Sequence, residues 1–127
     1  MLRAFGALIA ALILWFVMAT IGHRGMCALW PAYAAGTPLL SFTLPMKVFR
    51  LLLGALCTLV AGAAAHRISS ARWVPLALGC ALLVLFVPGH YRIWHSFPVW
   101  YHLTFLGSLI PITLIGARLP RTPRAQT

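Results

Sequence analysis

The chain has 127 residues, 62% of them hydrophobic and 8% charged, and its ten Lys and Arg are matched by no Asp and no Glu. Soluble domains carry about a quarter of their residues as charges, so this composition, with a mean hydropathy of +0.96, is that of an integral membrane domain. It excludes every mechanism built on a side-chain carboxylate: an acid/base pair, a Ser-His-Asp triad, an Asp-held magnesium or a Glu-dependent proton antiporter.

In chain order, Arg3 precedes an uncharged run from Ala4 to Ile21, about 27 Å long as a helix and sufficient for a first span. A cleaved secretory signal is the competing reading. The run is long for such a signal, and cleavage near Ala19 or Gly22 puts Phe16 or Thr20 where a small residue is needed. Residues 25–46 are uncharged but divided by Pro31, Gly36, Pro38 and Pro45. This stretch reads as a surface or re-entrant cap, with a broken fifth span as the alternative.

The second span runs from Val48 to Ala65, after Lys47 and with Arg50 in its first turn. Gly54, Thr58 and Gly62 recur every four residues, the small-residue spacing that lets membrane helices approach closely. That stripe predicts an internal helix contact, with self-dimerisation as the alternative. The third span, Trp73 to Val87, has Pro75 in its first turn, where the missing N–H costs nothing. Pro88-Gly89 is expected to end it, which leaves it short unless it starts at Ser70 or the bilayer thins. The fourth span starts at Pro98 or Val99 and ends at Ala117, with a kink expected at Pro111. Residues 118–127 are basic, carry Pro120 and Pro123, and read as a disordered cytoplasmic tail.

The expected fold is therefore all-α: a single domain, residues 1–117, of four transmembrane helices with an outer-side cap or re-entrant loop. Four spans put both termini on one side, with Arg3, Arg67, Arg72, Arg118, Arg121 and Arg124. Arg24, Lys47, Arg50 and Arg92 fall on the other. The positive-inside rule then makes the termini cytoplasmic.

The net charge of +10 does not point to nucleic acid, because the cations stand at the ends of apolar segments and form no basic domain. With no acid in the chain, each must meet water, a backbone carbonyl, an aromatic face, a lipid phosphate or another protein's acid. Anionic phospholipid is the commonest of these; an acidic partner membrane protein or self-association are the alternatives. Cys27, Cys57 and Cys80 lack Cys-x-x-Cys spacing, so neither a disulfide framework nor structural zinc is expected.

The residues richest in chemistry lie in Gly89–His102, which joins the third and fourth spans, and His23 and Arg24 end the first span on the same side. The plain reading is an interfacial belt of Trp and Tyr with wetted cations. Against it stands an asymmetry: Trp30, Tyr33, Tyr91, Trp94, Trp100 and Tyr101 are outside, and only Trp73 is inside. The sharper reading is an outer-leaflet binding pocket formed by His23, Arg24, His90, Arg92, His95, Trp100, Tyr101 and His102. His102 leads this set, because it stands a turn inside the fourth span, where a buried imidazole needs a partner. His23 and His102 are in principle a pair of axial haem ligands, but no Cys-x-x-Cys-His motif exists, and no cofactor or metal is expected.

The segment Phe97-Pro-Val-Trp-Tyr-His-Leu-Thr-Phe-Leu, with Gly116-Ala-Arg-Leu119 after it, resembles the last span of small uncharacterised bacterial four-span proteins. The resemblance covers the C-terminal third and implies a bacterial inner-membrane protein, with no activity attached. The functional expectation is a non-enzymatic membrane protein that binds lipid or a partner membrane protein through the outer-leaflet pocket. A small-solute carrier or channel past His102 and a haem- or quinone-linked redox subunit are the alternatives. Thr58, Thr104, Ser108 and Thr113 are the few polar mid-span residues, and each can bond its own helix backbone, which weighs against a pore.

Overall fold

The computed structural model describes residues 1–120. Over them the chain is helical: α1 (Leu2–Leu29), α2 (Pro31–Gly36), α3 (Leu44–Ile68), α4 (Trp73–Arg92) and α5 (Val99–Ala117), with a single 3₁₀ turn at Trp94–Ser96 before α5. Four of these helices, α1, α3, α4 and α5, are long and apolar enough to cross a bilayer, which fits a multi-pass membrane protein. The basic tail expected over 118–127, with Arg121 and Arg124, lies outside the described residues from position 121 onward.

Small residues decide how these helices pack. On α1, Ala4, Ala7, Ala11 and Trp15 are buried at helical spacing, against Cys57, Ala61 and Ala65 of α3 and Val74, Leu78 and Leu82 of α4. The opposite face of α1, with Phe5, Ile9, Ile13 and Val17, is exposed, as a lipid-facing stripe should be. α3 packs most extensively against α5 and then α1. A Cβ on Gly62 would strike the Thr113 carbonyl of α5, and one on Gly116 would strike the Leu59 carbonyl of α3. The two backbones thus touch where both side chains are missing, as small-residue interfaces require. Of the stripe read from the sequence, Gly54 and Gly62 face α5, and Thr58 faces α1.

Thr58 donates to its own helix at Gly54 O (2.7 Å) and accepts from the Trp15 indole N–H (2.9 Å). Thr113 and Ser108 likewise donate to the carbonyls of Leu109 and Phe105. Thr58, Ser108 and Thr113 are thereby bonded within the bundle, while Thr104 is exposed. At the end near the termini, Arg3 Nε donates to the carbonyl of Ile68, over 2.7 Å, at the last turn of α3.

Three boundaries differ from the expectation. The first helix continues to Leu29, so His23 and Arg24 lie within it. The second spans 25 residues, Leu44–Ile68, which places Arg50 nearly two turns in. The third does not stop at Pro88-Gly89 but runs on to Arg92, with Pro88 inside it. Proline frees the carbonyl one turn back, a cost of about 3 kcal/mol in water, but membrane helices absorb it through neighbouring groups. Here the turn beyond Pro88 is held by His90, which is 7% exposed and docked on α5. Residues 30–43 form no further span; they make the six-residue α2 and a turn in which Leu40 adopts a left-handed φ of 51°. This cap covers the bundle through Tyr33 and Phe42, packed with Met46, Phe97 and Tyr101.

Candidate functional site

The cap end gathers the C-terminal turns of α1 and α4, the N-terminal turns of α3 and α5, and α2. Arg50 stands at its centre. Its guanidinium donates from Nη1 to the Tyr33 hydroxyl (2.6 Å) and from Nε to the Tyr101 hydroxyl (3.3 Å). It also lies over the rings of Phe42 (4.8 Å) and Phe97 (5.8 Å). A half-buried cation in a chain without a carboxylate is thus held by two phenols and two aromatic faces. Both phenols act as acceptors here, and neither neutralises the charge.

A chain of hydrogen bonds leads away from it. The Tyr33 hydroxyl that accepts from Arg50 also lies 3.0 Å from His23 Nδ1. His23 Nε2 then faces the Cys27 sulfur at 3.8 Å, which in turn lies 4.0 Å from the Thr37 hydroxyl. Thr37 donates back to the Tyr33 carbonyl at 2.9 Å. Burial pushes the Tyr33 hydroxyl pKa up from its ordinary 10.0, while the charge and hydrogen bond of Arg50 act in the opposite sense.

On the far side of Arg50, His90 and His102 meet Nδ1 to Nδ1 at 2.7 Å, and His102 Nε2 lies 3.1 Å from the Trp94 carbonyl. His90 is stacked between the rings of Tyr101 and Phe105, and His102 lies flat on Trp94. A carbonyl only accepts, so His102 Nε2 carries a hydrogen.

These groups border a cavity of about 490 Å³, within the range of small-molecule sites. Its polar end is formed by His23, Tyr33, Arg50, His90 and Tyr101, and its apolar wall by Trp15, Ala19, Leu53, Phe86 and Phe105. From His23 to Trp15 it follows α1 for about 12 Å, at 1.5 Å per residue. Gly54 also borders it, and a Cβ there would press on the Phe105 ring at 2.8 Å.

Of the residues singled out from the sequence, His23, His90 and Tyr101 line this cavity, and His102, fully buried, stands behind His90. Arg24, Arg92, His95 and Trp100 are exposed and do not border it. Two residues at the polar end lay outside the expected set: Tyr33, taken for part of the belt, and Arg50, taken for a helix-end cation. The signal for Arg50 was its setting, with Val48-Phe49 before it and Leu51-Leu52-Leu53 after. His23 and His102 each have both ring nitrogens engaged with neighbours, so this pair offers no free axial ligands to a haem. Among the described residues no group of three or more His and Cys side chains converges as metal ligands do.

No protein-family model, no curated protein and no solved structure matches the chain.

Proposed function

We propose that this protein is a non-enzymatic membrane protein that binds an anionic amphiphile, a lipid with an acidic head, in the cavity beside Arg50. One observation carries the reading: Arg50 is half-buried, bonded to neutral acceptors, and borders a cavity whose other wall is apolar. An arginine has five N–H donors, and Tyr33 and Tyr101 take two of them. Three are left for an anionic oxygen, and charge-assisted bonds of that kind are about twice as strong as neutral ones. Trp15, Phe86 and Phe105 suit the hydrocarbon that follows the head. A solute path is less well supported, because the buried polar groups at mid-depth, Thr58 and Thr113, are already bonded within the bundle.

In this reading the membrane is the bacterial inner membrane, with both termini cytoplasmic and the cavity at the outer leaflet. The distribution of cations supports that orientation. An acidic side chain of a partner membrane protein is the competing occupant for Arg50, and the same experiment separates the two.

The test is native mass spectrometry of the full chain released from nanodiscs containing an anionic phospholipid, compared with Arg50→Gln. The expected result is one retained lipid per chain, lost in the variant. A wild-type chain that retains no more anionic lipid than Arg50→Gln would sink the proposal. A co-purifying protein released by the same substitution would assign the cavity to a partner.

A further inference from the structure

The hydrogen bonds around His90 say more about the head that the cavity takes. His102 Nε2 donates to the Trp94 carbonyl at 3.1 Å, so with the ring neutral its Nδ1 carries only a lone pair. The contact of 2.7 Å between the two Nδ1 atoms is then a bond in which His90 donates and His102 accepts. A neutral His90 with its hydrogen on Nδ1 has a bare Nε2. No described side-chain nitrogen or oxygen is both enclosed and without a partner, and His90 lines the cavity. Its Nε2 lone pair is therefore accessible at the cavity that Arg50 also lines.

The groups that face His90 leave its lone pair unmatched. From α5 come His102, which uses Nδ1, and Tyr101 and Phe105, which stack on its faces. From α3 comes Arg50, whose side-chain hydrogen bonds go to Tyr33 and Tyr101 and not to His90. The Tyr101 hydroxyl already accepts from Arg50. The chain has no carboxylate to balance a second positive charge in this space.

We infer that the cavity selects a head bearing both an anionic oxygen, for Arg50, and an O–H, for His90 Nε2: the monoanion of a phosphate monoester amphiphile. A phosphodiester of equal charge has the first group and lacks the second. The inference rests on the reading of the cavity as a site for an anionic amphiphile and narrows its ligand class.

Dodecyl phosphate and its methyl ester form a matched pair. Near pH 5, below the second phosphate ionisation at about 6, both carry one negative charge and only the monoester has an O–H. Binding of each to the full chain in nanodiscs of zwitterionic lipid is followed by tryptophan fluorescence, since Trp15 lines the cavity. The monoester should bind about tenfold more tightly, the equivalent of one hydrogen bond to a polar partner. In His90→Phe the preference should be lost, so that the two ligands bind alike.

Equal binding of both ligands to the wild-type chain would overturn the inference and leave the amphiphile reading standing. Binding of neither would overturn both. Displacement of dodecyl phosphate by an equal concentration of inorganic phosphate would make this a site for the free anion and end the claim for an amphiphile. If His90→Phe fails to fold, the comparison of the two ligands on the wild-type chain decides alone.

Discussion

The guanidinium of Arg50 on α3 donates to the hydroxyl of Tyr33 on α2 over 2.6 Å, and the same hydroxyl lies 3.0 Å from His23 Nδ1 on α1. One phenol thereby ties three helices together at the cap end.

Burial gives Tyr33 a pH signature. Burial raises the Tyr33 hydroxyl above its ordinary pKa of 10.0 against the opposing pull of Arg50. An acid that holds its proton longer when folded stabilises the fold fully below its unfolded value, and that stabilisation is lost as pH rises through the folded one. Equilibrium unfolding in detergent should show stability falling above pH 10, with a smaller slope in Tyr33→Phe. Stability that rises with pH in that range would contradict the assignment.

The two histidines should occupy opposite tautomers. In ¹⁵N spectra of the membrane-embedded protein near neutral pH, His90 should carry its hydrogen on Nδ1 and His102 on Nε2. His102 bonded to hydrogen at Nδ1 would break the relay drawn from Trp94 to the cavity.

Contact between α3 and α5 rests on missing side chains. Gly62→Ala and Gly116→Ala each drive a methyl into a facing backbone carbonyl and should destabilise by about 1–3 kcal/mol, the range for overpacking. Gly107, with nothing within 4 Å of its would-be Cβ, is the control. Gly107→Ala should leave stability unchanged or raise it by up to about 1 kcal/mol through helix propensity. Equal effects at all three glycines would mean that the helices are not in backbone contact.

Between Trp15 and Thr58 the indole N–H is satisfied within the bundle. Thr58→Val keeps the shape and removes the acceptor. A double-mutant cycle with Trp15→Phe should return a coupling of about 1 kcal/mol, typical of such bonds inside membranes. A coupling indistinguishable from zero would mean that the bond contributes nothing.

Long apolar runs made the four spans legible, because a helix that faces lipid must be apolar over its whole length. Their ends were less so. Pro88-Gly89 looks like a stop when read locally, and what keeps the helix going is His90 docked against His102 and Phe105, twelve and more positions away in the chain. Polar-tipped residues were visibly crowded at one end, and this is how His23, His90, Tyr101 and His102 came to notice. Exposure separates them from Arg24, Arg92, His95 and Trp100, and exposure depends on which way each helix face turns. Arg50 was hidden for the opposite reason: its partners, Tyr33 and Tyr101, lie 17 and 51 positions away. A nearby cation at a helix start, Lys47, looks the same in the sequence.

Those two separations also set an order of events during synthesis. Tyr33 leaves the ribosome before Arg50, while Tyr101 follows it 51 residues later. When α3 first reaches the bilayer, its arginine has one of its two phenols and neither the His90 nor the Tyr101 wall of the cavity. A side chain of that length less than two turns from the helix end can reach up to the headgroups while it waits. Arrival of α5 then draws it inward, so α5 completes the setting of a charge inserted two spans earlier.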